Sequence, residues 1–159
     1  KEIKAIKEIQ FSPDGRILAM ITRGDNSVQL WNIQNGIVTE QANLQPEEMA
    51  KEVKEIKFSP DGSLIATVSK DKIIRVWNLN GEEQARFNWH YDDNVETLEF
   101  SLDNRFIALS SSTGRIILWN WHQGNRELEQ FSCDRVQNYL KHAPSVEASN
   151  RTLCNRLFP

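Results

Sequence analysis

The sequence predicts an all-β chain assembled from three copies of one unit, each a sheet of four short strands. Two observations predict it. A five-residue string recurs as Phe11-Ser12-Pro13-Asp14-Gly15, Phe58-Ser59-Pro60-Asp61-Gly62 and, altered, Phe100-Ser101-Leu102-Asp103-Asn104. A Trp-Asn pair follows each string: Trp31-Asn32, Trp77-Asn78 and Trp119-Asn120, 20, 19 and 19 residues after the respective Phe. A glycine trails each pair, at Gly36, Gly81 and Gly124. Markers that recur in one order, at steps of 47 and 42 residues, are the mark of a repeat architecture.

Each unit supplies its strands in turn. The first offers Ile17–Ile21 and Val28–Trp31 as apolar runs. The middle unit shows the plan best. Val53, Ile56 and Phe58 form a first strand, ended by the Pro60-Asp61-Gly62 turn. Leu64 to Val68 is almost wholly apolar, as a strand buried on both faces should be. Lys70-Asp71-Lys72 turns the chain. In Ile73–Trp77 the alternation puts Ile74 and Val76 on one face and Arg75 and Trp77 on the other. Asn80-Gly81 matches a type I′ hairpin, and Gln84 to Asn88 reads as a polar outer edge strand. The third unit repeats this with Phe106–Leu109, Ile116–Trp119 and an outer strand near Arg126–Phe131.

At 159 residues the chain has the length of one domain, which the repeats divide into three units and a remainder. Charge is nearly balanced, 19 Lys and Arg against 22 Asp and Glu, net −3. Nucleic acid is not an expected partner, because binding phosphates takes a clustered basic surface. An anionic membrane is not expected either. Hydrophobic residues at 39% and charged residues at 26% belong to a packed globular chain. No apolar run approaches the ~20 residues that span a bilayer. The chain has no initiator Met and no basic-then-apolar leader, so we expect a piece of something longer or a processed product. Two cysteines outside CxxC spacing fit a reducing, cytoplasmic location better than a disulfide scaffold.

The five-residue string, the apolar strand after it, the polar turn and Trp-Asn in place of Trp-Asp resemble the WD-repeat β-propeller family. The resemblance covers about residues 4–131. It implies a β-propeller built of four-stranded blades, three of them present: about 4–44, 53–89 and 95–131, within residues 1–131. It also implies a rigid platform for protein partners, without catalysis or a cofactor. In the family, a His, Ser, Asp and Trp within a blade often form a hydrogen-bonded tetrad. Carried over, the second blade keeps Ser69, Asp71 and Trp77, with Glu48 near the His position. The third keeps His90, Ser111 and Trp119, with Thr113 in place of the Asp. The first keeps only Asp25 and Trp31, so every tetrad is expected to be incomplete.

After Phe131 the pattern changes. Ser132 suits a helix cap, Asp134 the acidic first turn, and Val136, Tyr139, Leu140 and Ala143 recur at helical spacing. Pro144 stops that helix, and a second runs from about Ser149 to Leu157. Residues 132–159 are thus expected to be a short C-terminal helical tail. The string from Cys133 to Cys154 resembles the tail that ends cyanobacterial multi-domain WD-repeat proteins, which implies the C-terminal part of a larger signalling protein. Asn150-Arg151-Thr152 matches a glycosylation pattern that should mean nothing in a cytosolic chain.

Candidate chemistry is sparse. No phosphate-binding loop, zinc-protease motif or nucleophile elbow occurs. His90, His122 and His142 lack ligand spacing, so no metal is expected. Cys133 and Cys154 stand near the start of one helix and late in the next. Two readings remain open for them, a thiol clip and simple packing of the tail. Trp89 opens the aromatic and acidic stretch Trp89-His90-Tyr91-Asp92-Asp93 and reads either as a binding hot spot or as packing against the next blade. Trp121 falls where Ile33 and Leu79 fall, which makes it core. The long connector Ala42–Glu52 is expected to carry a turn of helix at Gln45–Met49.

Partner binding is placed on turns at equivalent points of the blades: Arg23 and Asp25, Lys70, Asp71 and Lys72, Trp89, Tyr91, Asp92 and Asp93, Ser112 and Thr113. Propellers take ~4–8 blades, so three cannot close a ring. Either earlier blades belong to the same protein, or two copies join head-to-tail as a homodimer with six blades.

Overall fold

The computed structural model describes residues 5–23, 27–45, 51–123 and 127–131, residue 123 and the last five as backbone. Three antiparallel sheets of four strands form, each in chain order. The first holds β1 (Ile6–Phe11), β2 (Ile17–Thr22), β3 (Val28–Gln34) and β4 (Ile37–Leu44). The second holds β5 (Val53–Phe58), β6 (Leu64–Ser69), β7 (Ile73–Asn78) and β8 (Glu83–Asn88). The third holds β9 (Val95–Phe100), β10 (Ile107–Ser111), β11 (Ile116–Trp119) and β12 (Glu127–Phe131). A 3-10 turn, Trp121–Gln123, follows β11. The expected tail at 132–159, the expected helical turn at Gln45–Met49 beyond Gln45 itself, and Asp25, Glu48 and Gly124 lie outside the described residues.

The recurring string owes its constancy to side-chain chemistry. The Ser59 hydroxyl donates to the Asp61 carboxylate at 2.6 Å and accepts the Leu64 amide at 2.9 Å. Asp61 accepts the Ser63 amide at 3.0 Å. Ser12 with Asp14 and Ser101 with Asp103 repeat the arrangement. The fourth turn residue needs a left-handed backbone, with φ of 71° at Gly15 and 72° at Gly62. Asn104 takes the same conformation at 57°; Asn is among the few side chains that tolerate it, so the altered third copy still turns. The hairpin expectation needs correcting. At Asn80-Gly81 only Gly81 has positive φ, 88°, which is not a type I′ turn. Both central residues are left-handed at Asn35-Gly36, 50° and 76°, as type I′ requires.

Two apolar cores lie between the sheets. Ile17, Ala19, Ile21, Val28, Leu30 and Leu44 of the first sheet pack on Val53, Ile56, Ile65 and Trp77 of the second. The opposite face of the second sheet, through Ala66, Val68, Ile74, Val76 and Phe87, packs on Leu98, Ile107, Leu109, Ile117 and Trp119 of the third. Period-two alternation sends adjacent residues of β6 and β7 to different cores, which explains their nearly unbroken apolar sequence. The sheets approach one another along β1, β5 and β9. Those are the inner strands of three blades, and β4, β8 and β12 are the outer ones.

Candidate docking surface

Alternate connections of an antiparallel sheet fall at opposite ends. The β2–β3, β6–β7 and β10–β11 turns therefore share one end with the β4–β5 and β8–β9 connectors. Arg23, Lys70, Asp71, Lys72, Tyr91, Asp92, Ser112 and Thr113 all fall there; Asp25 is not among the described residues. Arg23, Lys70, Asp92, Ser112 and Thr113 are exposed. The backbone beneath them is tied together. The Lys72 ammonium donates to the carbonyls of Tyr91 and Asp92 at 2.9 and 3.0 Å, and the Trp89 amide donates to the Lys72 carbonyl at 2.8 Å. Lys70 pairs with Glu52, which also faces Lys7 at 3.5 Å. The Lys70 hydrogen bond and charge hold the Glu52 carboxyl below its usual range against its desolvation.

Trp89 and Asp93 occupy a different place from the exposed turns. Trp89 is 3% exposed and belongs to the core between the second and third blades. Its indole N–H donates to the Asp93 carboxylate and carbonyl, each at 3.1 Å. Thr113 also donates to that carboxylate, and Arg115 lies 3.7 Å from it. Burial pushes the Asp93 carboxyl up. Hydrogen bonds from Ser111, Thr113 and Trp89 and the charge of Arg115 outweigh that and hold it below its usual range. The Arg115 guanidinium also sits 3.9 Å over the Tyr91 ring, and the His90 ring stacks on Tyr91 at 4.5 Å. Sequence reading placed Trp89 and Asp93 with the binding residues as one option and missed Arg115. Thr113 and Arg115, the partners of Asp93, are about twenty residues away in the chain, beyond any local pattern.

The tetrad positions are likewise rearranged. The Trp77 indole N–H donates to Thr67 at 3.0 Å rather than to Ser69, and the buried Ser69 hydroxyl has no hydrogen-bond partner among the described residues. Asp71 accepts the Ile73 amide at 3.0 Å and the Arg75 guanidinium at 2.9 Å. Arg75 is buried, with Glu83 at 3.6 Å as a second carboxylate. Ser111 bonds Thr113 at 3.2 Å and accepts the Arg115 amide. His90 Nδ1 lies 3.1 Å from the Asn88 carbonyl, and Trp119 is fully buried. Trp121 packs on the same core and donates to the Asn104 carbonyl at 2.7 Å.

The inner strands gather carboxylates. Burial raises Glu55 to about 7; Lys57 and the Leu98 amide oppose this, while Glu8 and Glu99 add to it. Glu8 is raised as well, chiefly by burial. Lys57 bridges blades through Glu99 at 2.8 Å. Among the described residues no group of three or more His, Cys, Asp or Glu is placed to hold a metal ion, and no helix is long and apolar enough to cross a membrane.

Radially adjacent four-stranded blades with inner strands side by side define a β-propeller type of repeat. The profile of the WD domain, G-beta repeat, matches residues 2–32, 46–78 and 81–120, and the chain belongs to that family. Over 89 residues it is 29% identical to the ribosome biogenesis protein WDR12 homolog of Trichoplax adhaerens, covering 55% of this chain and 21% of the relative. The C-terminal WD40 domain of Sif2 shares the fold, with a TM-score of 0.64 at 23% identity over 83% of this chain and 41% of that one. The chain therefore spans well under two thirds of either protein. WD repeats generally mediate protein–protein interaction or scaffolding and are generally non-catalytic.

Proposed function

We propose that this chain is a non-catalytic docking platform that binds a protein partner with the end carrying the β2–β3, β6–β7 and β10–β11 turns. The observation that carries the reading is the shared end itself. Exposed Lys70 and Asp92 stand beside backbone tied by the Lys72 and Trp89 hydrogen bonds, and the amides of exposed Arg23 and Ser112 donate to the Ala5 and Asn94 carbonyls at 2.8 and 3.3 Å. A surface rigid before binding loses less entropy on association. Asp25 and Asp71 belong to the same surface, with Tyr91 at its edge. Trp89 and Asp93 act beneath it, by holding the β8–β9 connector. Residues 132–159 are taken as a separate tail, for which Cys133 and Cys154 offer two readings, simple packing of the tail or a thiol clip.

In the same proposal the chain is the sensing end of a larger cytoplasmic signalling protein of cyanobacterial type, a reading that rests on the tail string and the low cysteine content. A photo-reactive residue at Asp92 or Ser112 tests the surface. Cross-linking of a protein partner there, and none from Asp14 or Arg105 at the opposite end, supports it. Equal capture from both ends contradicts it.

A second reading is self-assembly, in which two copies complete a six-bladed ring as a homodimer. It is favoured by one observation: Ile9 and Phe11 are 58% and 56% exposed on the outer face of the first blade.

A further inference from the structure

We propose that this outer face of the first blade is closed by the third blade of a second copy, across a junction built like the one between the first and second blades. The proposal rests on the self-assembly reading and names its interface.

The second blade shows what such a face looks like when covered. Phe58 packs on the first blade and Ile56, Ile65 and Trp77 are buried against it. Their equivalents on the first blade are Phe11, Ile9, Leu18 and Trp31. Two of these are exposed and two are half-buried. The glycines repeat the contrast. A Cβ at Gly62 would meet the Pro13 ring at 3.4 Å and Ser12 at 4.0 Å, and one at Gly81 would meet the Asn43 carbonyl at 3.3 Å. The equivalent Gly15 and Gly36 have nothing within 4 Å. The seats that the first blade fills on the second are empty on the first blade itself.

The third blade carries the matching half. Leu102 stands at the position of Pro13, the residue that seats on Gly62, and is 68% exposed. Phe106, Ala108, Ile116 and Leu118 repeat the positions of Ile17, Ala19, Val28 and Leu30, which cover the second blade. The two halves differ, so the contact is heterologous. Two such contacts related by 180° close a two-fold dimer.

Light scattering in line with gel filtration tests this on the full chain. We expect the mass of two 18.4 kDa chains. Phe11→Asp and Leu102→Asp change exposed side chains on opposite halves, and each is expected to weaken dimerisation by ~30-fold or more. Mixed together, the two variants retain one intact junction and are expected to bind each other while neither binds itself. Far-UV circular dichroism and the melting temperature verify that both variants stay folded. A wild-type chain that remains monomeric as concentration rises overturns the self-assembly reading. A dimer that survives Leu102→Asp keeps self-assembly and overturns this junction.

Discussion

The first and second blades carry the same marker residues in the same order, yet they live in different surroundings. Ile9-Gln10-Phe11 and Ile56-Lys57-Phe58 are equivalent inner-strand segments, and Trp31 and Trp77 equivalent third-strand residues. On the second blade this row is core; on the first it faces outward. The comparison teaches that a repeat sequence records the environment its blades are meant to share. Apolar residues on an uncovered blade are therefore information about what covers it.

The largest expected difference is at the tryptophans. Trp77→Ala should cost ~3–5 kcal/mol, as large-to-small changes in a packed core do. Trp31→Ala should cost under ~1 kcal/mol in a monomeric background such as Phe11→Asp. Denaturant melts of both variants measure it, and equal losses would erase the distinction between the blades. The next effect concerns Arg75, which the first blade replaces with Gln29. Asp71→Ala removes the closer carboxylate from a buried guanidinium and should cost ~2 kcal/mol, with Glu83 still beside it. Arg75→Met with Asp71→Ala should recover part of that loss in the same melts.

Glu55 supplies a pH-dependent difference. Its folded pKa of about 7 lies above the ordinary 4.5, so the folded state prefers the proton. The resulting penalty is absent below pH ~4.5 and complete above pH ~7. Glu55→Gln should therefore stabilise the chain at pH 8 by ~1 kcal/mol, a figure reduced for its partial exposure, and leave it unchanged at pH 4. Urea melts at the two pH values decide this. The Ser-Asp turns have the opposite sign. Hydrogen bonds from Ser12, Ser59 and Ser101 hold Asp14, Asp61 and Asp103 below the ordinary 3.8. Their contribution is present above pH ~4 and is lost as pH falls through the lowered folded values. The smallest effect is at Asn104, where Asn104→Gly should be neutral or gain a few tenths of a kcal/mol and Asn104→Ala should lose ~1 kcal/mol. Thermal melts of the pair measure it.

Much of this was legible because the repeat writes local chemistry. The Ser and Asp of each turn satisfy backbone amides within five residues, so the turns can be read directly from the string. The alternation in β6 and β7 likewise placed Arg75 and Trp77 on one face. What the string could not carry is what lies against that face. Burial of Arg75 depends on the blade beside it, and the Trp89–Asp93–Thr113–Arg115 cluster joins two blades. The hairpin at Asn80-Gly81 was misread because the same dipeptide serves two turn types, and the choice is made by φ at Asn80.

Hydroxyl-radical footprinting of Trp31 and Trp77, read by mass spectrometry over a dilution series of the full chain, tests the central claim most directly. The account predicts slow oxidation of Trp77 at every concentration, and slow oxidation of Trp31 only at concentrations where two copies are joined. Trp31 oxidised at one rate throughout the series, or Trp77 oxidised as fast as Trp31, would contradict it.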